Sequence, residues 1–205
     1  MANAVGPYGF VPVRYLNGAC WTGGGNIYYI PSTDTNQFNL GDVVKTAATG
    51  ADANGIPAVT KITNGTDTVR GVIIGCLPQT PGNPSLVGTN IDLTVQNIPA
   101  TKTRSYYVLV VDDPQVVFQV QDDGITTANL VAASVGLNAS FTVTNPTAPQ
   151  QNSQSVLLSS SFATTQGLNC KILSLAQIPN NAFGAYANWL IKFNQHELMG
   201  NTAGV

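Results

Sequence analysis

From Asn26 onward, short apolar or alternating runs recur along this chain, each closed by glycine, proline, asparagine or aspartate. "NIYYI" (26–30), "DVVKT" (42–46) and "AVTKIT" (58–63) are rich in β-branched and aromatic residues, as strands are. Between the last two, Asn54-Gly55 is a strong hairpin signal, because a tight primed turn needs residues that tolerate positive φ. "TVRGVIIGCL" (68–77) is apolar enough for a central strand, and its Gly71 and Gly75 predict a bulge or a close backbone approach. "IDLTV" (91–95) alternates as a half-exposed strand does. "RSYYVLVV" (104–111), "QVVFQVQ" (115–121), "ASFTVTN" (139–145), "CKILSLAQI" (170–178) and "NWLIKFNQHEL" (188–198) complete the strand set. "TTANLVAASVG" (126–136) is the best short-helix candidate, against the grain of its Thr and Val content. About ten strands at short spacing predict an all-β fold, an antiparallel sandwich or barrel with at most one short helix.

Residues 1–25 read differently. Pro7, Pro12 and the run Gly23-Gly24-Gly25 forbid a regular helix, so the segment is expected to be an extended arm preceding a β domain at 26–205. Tyr8, Phe10, Val11, Val13, Tyr15, Leu16 and Trp21 make the arm apolar. Such a segment must pack on something, either its own domain or a partner, and both readings are open. Long loops are expected at 78–90, which is rich in Pro and Gly, and at 144–155, whose low complexity gives it no capacity to bury surface.

Composition sharpens this picture. Only 9% of the residues are charged, where about 25% is usual for a soluble domain. Neutral polar residues stand in their place: 20 Asn and 22 Thr beside 20 Gly. A weakly charged surface repels neighbours weakly and suits a packed assembly. The eight basic residues are scattered, which argues against nucleic-acid binding. Cys20, Cys76 and Cys170 form no C-x-x-C pair and read as single buried thiols in a reducing cytoplasm. "MANAVGPYGF" lacks the basic and apolar regions of a signal peptide, and no apolar stretch is long enough to span a membrane.

The candidate chemistry is thin. Asp112-Asp113 and Asp122-Asp123 are paired carboxylates of the kind that glycosidases and metal sites use. Pro114 and Gly124 follow them, however, as turns demand, so 106–124 reads as a central hairpin whose ends the acids mark. Nine residues of strand would put Asp113 and Asp122 roughly 30 Å apart, too far for joint catalysis. His196 is the single histidine, and no G-x-S-x-G motif accompanies it. Gly23-Gly24-Gly25 lacks the Lys-Ser/Thr sequel of a phosphate loop. No enzyme activity, cofactor or metal is expected.

"GPYGFVPVRYLNG" (6–18) followed by "NIYYIPSTDTNQFNLGDVV" (26–44) resembles the start of a family of tailed-bacteriophage capsid decoration (cement, or stabilisation) proteins. "GVIIGCLP" (71–78), "YVLVVDDPQVVFQVQDD" (107–123) and "CKILSLAQIPNNAFGAYANWLIKFNQH" (170–196) are similar to later segments of the same family, in matching order. The stretch 79–103 and the loop 144–155 match nothing in it. The resemblance implies a β-rich homodimer or homotrimer, made in the host cytoplasm and seated on the exterior of an icosahedral head. There it would bridge copies of the major capsid protein and brace the shell against packaged DNA. The residues expected to make that contact are Tyr8, Phe10, Val13, Tyr15, Leu16 and Trp21. The same composition also suits a carbohydrate-binding head-fibre or receptor-adhesion module, with Trp21, Trp189 or Tyr106 as the aromatic platform, although Trp189 lies in an alternating strand and reads as core.

Overall fold

Strand runs without a polar face need cover on both sides, and the architecture supplies it. The computed structural model describes residues 3–63, 67–77, 96–147 and 151–199. In chain order the strands are β1 (Val11–Tyr15), β2 (Asn26–Ile30), β3 (Phe38–Asn39), β4 (Val43–Ala51), β5 (Pro57–Lys61), β6 (Gly71–Leu77), β7 (Asn97–Ile98), β8 (Tyr106–Val111), β9 (Val116–Gln121), β10 (Asn138–Ala139), β11 (Phe141–Thr142), β12 (Val156–Leu157), β13 (Cys170–Leu175) and β14 (Asn188–Phe193). The expected strand 91–95 and loop 78–90 lie outside the described residues.

The chain is all-β. A closed barrel, β2-β5-β4-β6-β8, stands beside a five-stranded sheet, β1-β9-β14-β13-β10. Alternation along the barrel strands divides the core in two. Val44, Ile73 and Val110 point into the barrel with Tyr28, Phe38 and Val108. Their neighbours Val43, Val72 and Val111 point outward, onto a second cluster built around Phe10, Phe118, Phe141, Phe193 and Trp189. Both faces of these strands are therefore buried, which explains their unbroken apolar runs. The ladders are antiparallel except for one seam, where β2 meets β5 in parallel through Tyr29 and Ala58 and closes the barrel.

The two glycines of β6 act as their positions suggest. A Cβ on Gly71 would lie 2.3 Å from the Val111 carbonyl oxygen, so only glycine lets β6 approach β8 there. The β6–β8 register slips between Ile73 and Gly75, the bulge that Gly75 predicts. The Asn54-Gly55 turn joins β4 to β5 as expected, and the Asp52 carboxylate accepts from the amides of Asn54 (2.9 Å) and Ile56 (2.8 Å).

Several expectations are corrected. Residues 106–124 are not a hairpin. β8 pairs with β2 and β6 inside the barrel, whereas β9 pairs with β1 and β14 in the sheet. Asp113 does cap a tight turn, accepting from the Gln115 amide at 2.8 Å, but that turn carries the chain from one body to the other. Residues 126–136 form two 3-10 turns, Thr127–Asn129 and Ala132–Ser134, instead of a helix, and no helix among the described residues reaches seven residues. The run 139–145 changes partner at Ser140, from β13 to β12. Its neighbour 151–155 does bury surface: Ser153 and Ser155 are inaccessible, and the Ser153 amide donates to the Leu40 carbonyl (2.8 Å). Cys20 is exposed, while Cys76 and Cys170 are buried.

The arm is corrected as well. Residues 11–15 pair with β9 as an edge strand of the sheet, and Phe10 is 1% exposed at the centre of the larger core. Its ring packs 5.1 Å from Phe141 and 5.5 Å from Phe193. Phe10 and β1 thus belong to the domain and cover the edge of β9, while Val5, Val11 and Leu16 stay exposed.

Candidate functional site

Beyond β1 the chain turns back on itself. The Gly18 amide donates to Tyr15, the Tyr15 amide to Ala19, and Cys20 bridges to Arg14. This return sets Trp21, half-buried against the larger core, at the junction of barrel and sheet. Its indole N–H donates to the Gly24 carbonyl (3.2 Å), which fixes the ring.

Trp21 is a shared wall of two clefts. The larger, about 360 Å³, is mostly apolar and is lined by Tyr8, Val11, Pro12, Leu40 and Ile74. The smaller, about 170 Å³, is lined by Tyr15, Asn26, Val116 and the first aspartate pair. Ligand pockets usually span about 300–1,000 Å³, so the apolar groove reaches that range and the polar cleft suits something no larger than a side-chain head or a small ring.

A hydrogen-bonded network backs the polar cleft. Buried Asp112 accepts from Asn26 Nδ2 (2.9 Å) and from the Tyr28 hydroxyl (2.5 Å). Burial, then that bond to Asp112, holds the Tyr28 phenol above its ordinary range. Arg70 Nε donates to the same hydroxyl (2.7 Å), and Arg70 Nη1 stands 3.7 Å from Glu197 Oε2. Glu197 in turn accepts from the Thr46 amide (2.9 Å). His196, 2% exposed, accepts the Leu198 amide at Nδ1 (3.1 Å). Burial, helped by Arg70 and opposed by Asp112, Glu197 and Asp113, pushes its pKa down to about 4.

That imidazole stays neutral in the folded chain down to about pH 4, whereas an unfolded histidine takes its proton near 6.5. Stability is therefore expected to fall as pH drops from 6.5 toward 4, because the unfolded chain binds the extra proton. Over that window the loss is about 3 kcal/mol. Urea midpoints at pH 7 and pH 4.5 check it: His196→Gln should lose less stability than the parent, and equal losses would refute the assignment.

The second aspartate pair lies at the far end of β9 and is also structural. Asp122, fully buried, accepts from the amides of Gly124 (2.8 Å), Tyr186 (2.8 Å) and Ala187 (2.9 Å) and from Trp189 Nε1 (2.9 Å). Asp123 accepts from Ile125 and from the amide and hydroxyl of Ser159. Each pair thus turns its first member inward. Among the described residues, no group of three or more His, Cys, Asp or Glu is placed to hold a metal ion, and no helix is long and apolar enough to cross a membrane.

The six residues expected to contact a partner are divided by the fold. Tyr8, Phe10 and Trp21 line the apolar groove, and Tyr15 and Trp21 line the polar cleft. The Tyr8 hydroxyl is held between Asn188 Oδ1 and Gln119 Nε2, each at 2.6 Å. Val13 is half-buried and Leu16 is exposed, and neither lines the two clefts. Trp189 is core, and Tyr106 packs on the barrel core with Arg104 over its ring; of the three candidate platforms, Trp21 lines the two clefts described above and the others do not. Sequence reasoning missed Leu40, Ile74, Asn26 and Asp112 as cleft residues.

No family model, curated protein or solved structure matches this chain.

Proposed function

We propose that this chain is a structural virion protein that binds the outer surface of an icosahedral phage head, bridging major capsid protein subunits and stabilising the shell. The observation that carries this reading is the apolar groove of about 360 Å³ walled by Tyr8, Trp21 and Ile74. It lies on a chain with only 9% charged residues, so close approach of neutral neighbours meets little repulsion. The segments that resemble capsid decoration proteins supply β1, β2, β6, β8, β9, β13 and β14, of which β1 and β6 line that groove. Self-association as a dimer or trimer belongs to the same reading, because small contacts repeated over a closed lattice sum to a large effect.

Electron microscopy of heads lacking this chain, with and without the added protein, tests it. Added protein should produce protruding density and raise the temperature at which heads rupture. Trp21→Ala should lower occupancy at temperatures well below its own thermal midpoint, where the variant is folded. Failure of the folded parent to bind heads would overturn the proposal. The polar cleft beside Trp21 favours a second reading, a carbohydrate-binding head-fibre or receptor-adhesion module, since it sets aromatic walls beside an amide and two carboxylates. Binding to a glycan array without affinity for heads would select it.

A further inference from the structure

The polar cleft has a composition that a contact surface alone does not require. Tyr15 and Trp21 wall it, Asn26 and the buried Asp112 form its floor, and exposed Asp113 stands at its edge. Asp113 spends Oδ1 on the Gln115 amide, and among the described residues its other oxygen accepts nothing. Of the charged groups that act on buried His196 behind the cleft, three are carboxylates, Asp112, Asp113 and Glu197, and one is a cation, Arg70, which is engaged by Tyr28 and Glu197. The histidine beside them is buried and neutral at pH 7. The cleft's own lining holds two carboxylates and no cation, and the nearby Arg14 guanidinium is turned to the Tyr15 carbonyl (3.3 Å).

From this arrangement we propose that the cleft receives a basic side chain, arginine or lysine, from an extended segment of a partner protein. A cation over an indole face is attracted by the ring quadrupole, and a carboxylate at the rim supplies a charge-assisted hydrogen bond. The volume, about 170 Å³, matches a side-chain head and not a larger ligand. Trp21 is also a wall of the apolar groove, so the same segment seats a neighbouring apolar side chain there. Negative charge at one end and apolar surface at the other define the complementary motif: an apolar residue close to a basic one. This inference rests on the proposed function only for the identity of the partner.

The test uses full-length protein and three probes: acetyl-Leu-Gly-Arg amide, the same peptide with neutral citrulline in place of arginine, and a panel of methyl glycosides. The ¹H–¹⁵N resonances of the Trp21 indole and the Asn26 side-chain amide report occupancy, with Trp21→Phe assigning the indole. The arginine peptide should shift both resonances saturably and bind roughly fivefold to tenfold more tightly than the citrulline peptide. Asp113→Asn, which retains the acceptor for the Gln115 amide, should cut that ratio at least twofold without moving the thermal midpoint. Equal binding of the two peptides within about twofold, absence of saturation, or saturation by a glycoside alone would overturn the proposal. Head binding separates the two readings. If heads bind but Asp113→Asn leaves their occupancy unchanged, the cleft assignment fails alone. If the peptide binds and heads do not, the virion reading fails alone.

Discussion

Replacing Asp122 with alanine is expected to leave the chain unfolded or nearly so at physiological temperature. The carboxylate is fully buried and accepts from three backbone amides and the Trp189 indole. Alanine strands all four donors at once. Each unsatisfied buried donor costs about 1–3 kcal/mol, so even a discounted sum approaches the 5–15 kcal/mol that a typical domain has in total. The geometry leaves little room for relaxation. Gly124 sits at φ 67°, and a Cβ there would stand 2.6 Å from the Tyr186 ring, so the turn around the carboxylate is closely packed. Thermal unfolding followed by tryptophan emission measures the effect. Asp122→Asn, keeping one acceptor oxygen, should fall between parent and alanine. A midpoint for Asp122→Ala within about 2 °C of the parent would show that the clasp is not what joins β9 to the 184–189 segment.

Removal of residues 1–16 should be comparably severe, and it discriminates between an arm and a strand. A detachable arm would leave a folded domain that no longer binds. In the structure the deletion removes Phe10 from among Phe141 and Phe193, strips β1 from β9 and releases Gln119 and Asn188 from the Tyr8 hydroxyl. Loss of a buried phenylalanine alone costs about 3–5 kcal/mol, before the uncovered edge of β9 is counted. The truncated chain is expected to lack a cooperative thermal transition by circular dichroism and to aggregate. A cooperative transition at the parent's temperature would restore the arm. Contact residues on this segment are therefore better tested by single substitutions at Trp21 than by truncation.

The individual strands were legible because burial on both faces leaves an apolar run that no polar alternation interrupts, as in "GVIIG" and "YVLVV". Their partners were not. Val11 pairs with Gln119 and Asn26 with Val110, contacts that no local pattern encodes. The DDPQ turn shows the limit well. Asp113 and Pro114 correctly signalled a reversal, but turn chemistry is the same whether the chain returns beside its own strand or crosses to another sheet. The candidate site was legible to a similar depth. Aromatic residues in 1–25 pointed to the right region, yet hydrophobicity alone did not separate Phe10, which completes the core, from Trp21, which stands at its edge. The two aspartate pairs looked alike because each first member continues inward from a strand end while the second faces a turn. Only the tertiary neighbours of Asp112 and Asp122 reveal that these are internal clasps.

The unequal burial of the cysteines makes the surface chemically addressable at a useful place. Burial raises the Cys76 thiol to about 12 and the Cys170 thiol further, which leaves both almost without thiolate at neutral pH. Cys20 is exposed, next in sequence to the tryptophan that both clefts share. A maleimide reagent thus finds a single exposed thiol, and a dye or spin label carried there reports from beside the groove without any engineered residue.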